Sequence, residues 1–443
     1  MMSVKSTRIL FFLLLLLFVG AGIRDWQWTK QFYGSDLRNR VIGARLQRDG
    51  KLPYFYKWKP EEGARYYDPD NYAVPGPIKV SVISATPFLH LLMEPVAEWP
   101  QIRIFRFWLI LEYFAIFWMA IFFFLQARST MQQVAVVAVV ALFMFTEAWY
   151  IHIEYGQYYI FIVFLATLFY QLTAYNKRMV AGVAAGSVAI VMILIRPNSL
   201  LLLLPYLALY RRFPAKWLAA MSIPVVVLGA WTVLDNREWQ LWQSYRSAVM
   251  EHSHLHMRLN SFIPAHAPAM MEWEGVDRQQ MEARNMVADN NEHGNFFYVL
   301  RTRLKLTVGL GMLQSLSAAV MVLLAGIFWW RGRGPAFNRE AVDVRVRLAL
   351  LGSCLYMISD LFSPVLRWQY YTVQWIFPLL LAASCYDRRF RLLFACLFAG
   401  LLLNVVNIDS FGLEHTMGEY MMLAALAGLA ISPIPFQDSV QAL

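Results

Sequence analysis

Charge is what this chain has least of. Only 15% of its 443 residues are Asp, Glu, Lys or Arg, while 59% are hydrophobic; soluble domains carry about 25% charged residues. That shortfall excludes an ordinary water-soluble globule, which would lack the charge to cover its surface. Cysteine is scarcer still. Cys354, Cys385 and Cys396 fall within or at the edges of apolar runs, so no disulfide framework supports exposed loops and no zinc spacing is present. An internal repeat is missing too, and Glu112, Glu147, Asp360 and Asp387 fall in or near the ends of apolar runs. Ion-coupled carriers instead place ionisable groups near the membrane midplane, in broken helices of paired repeats.

What is there is hydrophobic length. Apolar runs able to cross about 30 Å of hydrocarbon recur from end to end, and in lipid the backbone must satisfy its own hydrogen bonds, so the runs are helices. The expectation is an all-α polytopic membrane protein, a single domain over 1–443. Its twelve spans are read at 8–23, 104–125, 132–150, 157–175, 179–195, 199–210, 216–234, 306–330, 346–362, 371–386, 391–407 and 419–434. The sixth is too short to cross alone, and Pro197 and Pro205 let the fifth and sixth form a broken or re-entrant pair.

Lysine and arginine in the short connections set the orientation. Lys5, Arg8, Arg128, Lys177, Arg178, Arg211, Arg212, Lys216, the group from Arg331 to Arg347, and Arg388, Arg389 and Arg391 all fall on one side, which is therefore cytoplasmic. Both termini lie there, in a plasma (inner) membrane, and two long connections, 24–103 and 235–305, lie outside. The net charge of +10 follows from these anchors and from basic residues in the first outer loop, so no nucleic-acid partner is called for. The first run also fits a cleaved signal peptide, since Gly20-Ala21-Gly22 follows its apolar core. Anchoring is the expectation.

The first outer loop is too rich in special residues for a plain connector. Asp36 sits about a dozen residues past the first span with Arg38 and Arg40 beside it, placed for proton transfer on a membrane-bound substrate; Ser35-Asp36 is equally ordinary helix-capping chemistry. Residues 38–47 read as a short helix in which Val41, Ala44 and Leu46 face membrane while arginines snorkel or meet phosphates. Tyr54 to Tyr56 and Tyr66-Tyr67 mix aromatics with turn residues, as sugar-binding surfaces and interfacial aromatic belts both do. Residues 86–100, from Thr-Pro to Trp-Pro, mark a helix at the interface. Arg196 and Arg367 stand at outer ends of spans, where a lipid phosphate would lie or where an interfacial arginine would snorkel.

An acidic residue after the first span, a short helix running into "DGKLPY", and "TPFLHLLMEPVAEWP" before the second span together resemble glycosyltransferase family 87. These are polyprenol-phosphate-sugar-dependent enzymes of the C-type membrane superfamily. "YGQYYIFIVFLATLFY" (155–170) is similar to the family's Gly-Gln-x-Asn helix opening, with Tyr158 in place of Asn. "RPN" (196–198) stands where Lys/Arg-x-Pro is usual. "SPVLRWQYYTVQWIFPLLL" (363–381) is similar to its Ser-Pro segment, with Gln369, Tyr370 and Tyr371 where a histidine often sits.

The resemblance implies a bundle of about twelve spans and an inverting transfer of a hexose or pentose, mannose-like favoured, from a polyprenyl-phosphate donor. The acceptor would be a lipid or glycan on the outer face, and no metal or other cofactor is expected. Asp36 carries over as the catalytic base. Because the leaving group is a phosphate, cations should receive it; the candidates are Arg367, Arg196, Arg38 and Arg40. Tyr66, Tyr67, Gln157, Gln369 and Tyr370 are the candidate substrate contacts.

In the second long loop, Glu251-His252-Ser253-His254-Leu255-His256 is the densest set of metal-type ligands. It lacks a second cluster to complete a site. Glu272, Glu274, Asp277 and Glu282 read as an exposed helix face. A lipid-linked glycan polymerase or ligase is the alternative function, with this late loop carrying the chemistry; a polytopic transporter is the other.

Overall fold

The computed structural model describes residues 4–32, 34–67, 79–80, 83–210, 213–261, 295–296, 299–300, 304–306, 308–332, 341–363, 365, 367–406, 414–434 and 436. It is nearly all helix: α1 (Val4–Trp28), α2 (Ser35–Arg48), α3 (Pro87–Met93), α4 (Gln101–Gln126), α5 (Thr130–Phe143), α6 (Glu147–Tyr155), α7 (Tyr159–Leu172), α8 (Met179–Ile195), α9 (Leu200–Leu209), α10 (Ala215–Leu234), α11 (Asn236–Ser261), α12 (Leu310–Gly332), α13 (Ala341–Leu361), α14 (Ile376–Ser384), α15 (Arg391–Leu403) and α16 (Glu414–Ile431). One antiparallel ribbon in the first loop pairs β1 (Lys57–Trp58) with β2 (Lys79–Val80).

Four of these helices, α1, α4, α10 and α12, are long and apolar enough to cross a membrane, and α5 with α6 makes a fifth if counted as one span bent by 58°. By that measure the described residues do not show twelve spans. The run 132–150 breaks because Thr146 starts a second helix: its hydroxyl donates to Phe143 O (2.7 Å) and accepts from Trp149 N (3.2 Å), a cap that ends one helix and begins the next. The run 371–386 opens as a 3-10 turn, Gln369–Trp375, before α14. At the 179–210 segment α8 stops at Arg196, and α9 continues through Pro205 after a short 3-10 turn.

Packing follows small residues and apolar faces. A Cβ added at Gly182 or Gly186 of α8 would stand 2.7 Å from Trp217 O or 2.0 Å from Met221 O of α10, so only glycine lets these two backbones approach. Elsewhere α9 packs on α13, α14 on α5, and α15 on α16. Large apolar side chains left exposed on α1, α10 and α12, such as Phe12, Val226 and Val322, suit a lipid solvent.

The first long loop, which the sequence places outside, folds onto this body. Val41, Ala44 and Leu46, expected to face membrane, are at most 1% exposed, and Arg40 beside them is buried as well. The helix packs into protein because its apolar side meets α3 and α6, leaving no face for lipid. A smaller core of Ile42, Leu46, Tyr54, Tyr66, Ile83 and Ala248 docks α11 onto the same loop, helped by Arg237, whose guanidinium donates to Gln47 O. The described parts of the two long connections thus meet each other.

Candidate active site

Two adjoining structures contain most of the candidate residues. The first is built around Asp36. Gly34, in left-handed backbone (φ 68°), occupies the helix N-cap position and makes no side-chain cap. Asp36 is in the first turn of α2, so capping is not its role. Its carboxylate accepts from Gln157 Nε2 and stands 3.9 Å from Arg40, one turn on. Arg40 donates to Gly156 O (2.8 Å) and Gln157 Oε1 (2.5 Å) and stacks over Tyr158 at 4.8 Å.

Gln157 is fully buried and fixed by its neighbours. Its N–H donates to His152 O (3.0 Å), its carbonyl accepts from Trp108 Nε1 (2.9 Å), and its amide bridges Arg40 and Asp36. Gly156 makes this turn possible. At φ 63° it closes α6, and a Cβ there would meet Leu37 Cβ at 2.7 Å. Glycine is thus required twice, for its backbone angle and for the approach of α2.

A rival carboxylate sits nearby. Asp25 accepts from Arg24 Nε (2.7 Å), Tyr113 OH (2.6 Å) and Trp149 Nε1 (2.8 Å) and is 1% exposed. It ties α1 to α4 and α6 and has no opening to a substrate. Asp36, whose side chain is 39% exposed, does. Beneath them, His152 lies 3.2 Å from the buried Glu112.

The second structure is a cavity of about 770 Å³ walled by Tyr158, Tyr159, Arg196, Asn198, Asp360, Arg367 and Tyr371 on one side and by α11 on the other. Arg196 binds Asp360 (2.7 and 2.8 Å) and Asn198 (2.9 Å) and lies over the rings of Tyr159 (4.5 Å) and Tyr371 (5.3 Å). Arg367, 3% exposed, grips Glu419 through Nε (2.8 Å) and Nη2 (3.0 Å) and reaches Asp360 at 3.5 Å. Asp360 therefore holds both arginines at the cavity wall.

Placement of the remaining candidates is mixed. Arg38 and Arg40 do not line the cavity; Arg40 serves the Asp36 centre, on the far side of Tyr158. Tyr66 donates to Asp49 (2.6 Å) and Tyr67 packs on Trp58 at 4.7 Å, so both are built into the first loop. Gln369 is buried, and Tyr370 stacks on Tyr159 at 5.8 Å behind the wall that Tyr371 presents. Among the described residues no group of three or more His, Cys, Asp or Glu could hold a metal. Residues 262–294, with the acidic segment, and the side chains of His252, His254 and His256 lie outside the described residues, as does Asp68-Pro69-Asp70, an Asp-x-Asp pair.

Sequence reasoning missed Asp25, Glu419 and the α11 wall. The last had a signal: Trp239, Trp242, Gln243, Arg246, Val249, Met250 and Ser253 recur every three or four residues, the mark of one helix face.

A family model for glycosyltransferase family 87 matches residues 86–364, more than half the chain and the stretch that carries Gln157, Arg196 and Asp360. The chain belongs to glycosyltransferase family 87. It is a membrane glycosyltransferase, with a sugar donor and an acceptor as its substrates. Neither the curated proteins nor the solved structures compared with this family 87 chain give a match. Asp36 and Arg367 lie beyond the matched stretch, one before it and one after.

Proposed function

We propose that this protein is an inverting glycosyltransferase that moves a hexose or pentose, mannose-like favoured, from a polyprenyl-phosphate donor to a lipid or glycan acceptor. The reaction takes place at the outer face of the membrane, with both termini cytoplasmic. The observation that carries the reading is the Asp36 centre: a partly exposed carboxylate, oriented by Gln157 and by Arg40, whose guanidinium lies over Tyr158, a residue of the arginine-walled cavity.

In this reading Asp36 takes the proton of the acceptor hydroxyl as its oxygen attacks the anomeric carbon, on the face opposite the leaving group. The bond from that carbon to the phosphate oxygen breaks, and the phosphate departs into the cavity walled by Arg196 and Arg367. Base assistance and prepaid orientation are the two contributions asked of the protein. Tyr159 and Tyr371 supply ring faces for the sugar or the first isoprene units. Metal-independent transfer is part of the proposal, since the donor already carries a good leaving group.

The test is direct. Purified protein is incubated with a panel of labelled polyprenyl-phosphate sugars and with nucleotide sugars, with and without EDTA. Transfer from the lipid-linked donors alone, insensitive to EDTA, is the expected result. Transfer from nucleotide sugars would place the active site on the other face.

A further inference from the structure

Among the described residues, the cavity carries one charge that its walls do not balance. Arg196 and Arg367 share Asp360, and Glu419 lies behind Arg367, so two guanidinium groups face two carboxylates and cancel. Arg246 is different. It lines the same cavity from α11, is exposed, and has no hydrogen bond or ion pair among the described residues.

Its surroundings are graded along the helix. Trp239, Trp242, Gln243, Arg246, Val249, Met250 and Ser253 form one continuous face of α11, all lining the cavity. At 1.5 Å per residue the stretch from Arg246 to Ser253 covers about 10 Å. Beyond it, Val249, Met250 and Ser253 also wall a second cavity of about 570 Å³, whose far side is Leu310, Ala318 and Met321 of α12. α12 is one of the helices long and apolar enough to span the bilayer. An indole-rich end, a lone cation and an apolar passage toward a lipid-facing helix therefore follow one another.

We propose that Arg246 is the residue that binds the phosphate of an isoprenoid-phosphate ligand, with the isoprenoid running past Val249 and Met250 to α12. This rests on the donor class proposed above and deepens it. A phosphodiester linking sugar to lipid bears a single negative charge, and one unbalanced guanidinium matches it. The same group then meets the extra charge that appears on the phosphate as the sugar leaves. Arg196 and Arg367, already paired, shape the site.

Binding of geranylgeranyl phosphate and of geranylgeraniol to the full-length protein in detergent separates the possibilities. Wild type should prefer the phosphate. Arg246→Ala should lose that preference, with affinity for the phosphate falling about ten- to a hundredfold, Arg246→Lys should recover part of it, and affinity for the alcohol should stay unchanged. Ser247→Ala, exposed and off the lining face, should match wild type. Raising salt should shrink the preference in wild type, because the cation is exposed. If wild type prefers the phosphate and Arg246→Ala keeps that preference, the assignment of Arg246 is overturned while the donor class stands. If wild type binds both compounds alike, the donor class falls and the assignment with it.

Discussion

Replacing Gly156 by alanine adds a single methyl group at the tightest point behind the proposed base. The residue has φ 63°, and the new Cβ would stand 2.7 Å from Leu37 Cβ and 3.2 Å from Leu37 Cδ2. A left-handed conformation costs a non-glycine residue about 1–2 kcal/mol, and overpacking of a tight core adds typically ~1–3 kcal/mol. The sum, about 2–5 kcal/mol, is a large share of an ordinary stability margin of roughly 5–15 kcal/mol. Because Gly156 O accepts from Arg40 and the next residue is Gln157, relief by shifting α2 would also misplace Asp36. Thermal unfolding in detergent should therefore show a marked loss, and transfer activity should fall further than the folded fraction. Leu37→Ala retains the Cβ that makes the closest contact, so it should not rescue Gly156→Ala. A Gly156→Ala protein with wild-type stability and turnover would refute this account of the turn.

Asp25→Asn keeps the shape but weakens a buried acceptor of three bonds; it should lower thermal stability by about 1–3 kcal/mol while the folded protein keeps its catalytic constant, measured on material repurified by size exclusion. Arg367→Ala strands Glu419 in the interior and should cost roughly 3–5 kcal/mol, read as lost yield and a lower unfolding temperature. In the first loop, Asp49 is held below its ordinary range by the Tyr66 hydroxyl and then by Arg65, and Glu98 likewise by Arg65. Carboxyls with depressed values stabilise the fold above their unfolded values and lose that contribution as pH falls through the folded ones. His90 adds to the same trend: burial, then Arg40, lowers it from 6.5 to about 3. It is neutral in the fold, so the unfolded chain gains protons first as pH drops below about 6.5. Stability of the loop, followed by limited proteolysis, should decline from pH 6.5 toward 3, and a decline on raising pH over that range would contradict these assignments.

The helical class and the special status of the first loop were legible from low charge and long apolar runs. The Gly156-Gln157 pair stood out through motif resemblance, but as a substrate contact, whereas the Gln157 side chain is buried and bridges Arg40 and Asp36. How the apolar runs break into separate helices was not legible. Hydropathy cannot see a Thr146 cap inside an apolar run, nor that 369–375 closes into a 3-10 turn. The amphipathic reading of α2 failed because a buried polar helix and an interfacial one have similar patterns. Which of them forms depends on partners, here α3 and α6, distant in sequence. Charge pairing was equally hidden. Arg196 and Arg367 looked free because Asp360 and Glu419 reach them from other helices, whereas Arg246, on a helix face plain in the sequence, went unremarked beside the histidines.

The central claim is that Asp36 is the base, and the measurement that reaches it most directly is single-turnover transfer from a labelled polyprenyl-phosphate sugar by Asp36→Asn. The amide is isosteric, Gly34 and not Asp36 holds the helix N-cap position, and the oxygen of the new amide can keep accepting from Gln157 Nε2, so the fold and donor binding should persist. Loss of the base should slow transfer by about 10²–10⁴-fold with donor affinity unchanged. Transfer by Asp36→Asn at close to the wild-type rate would contradict the account at its root.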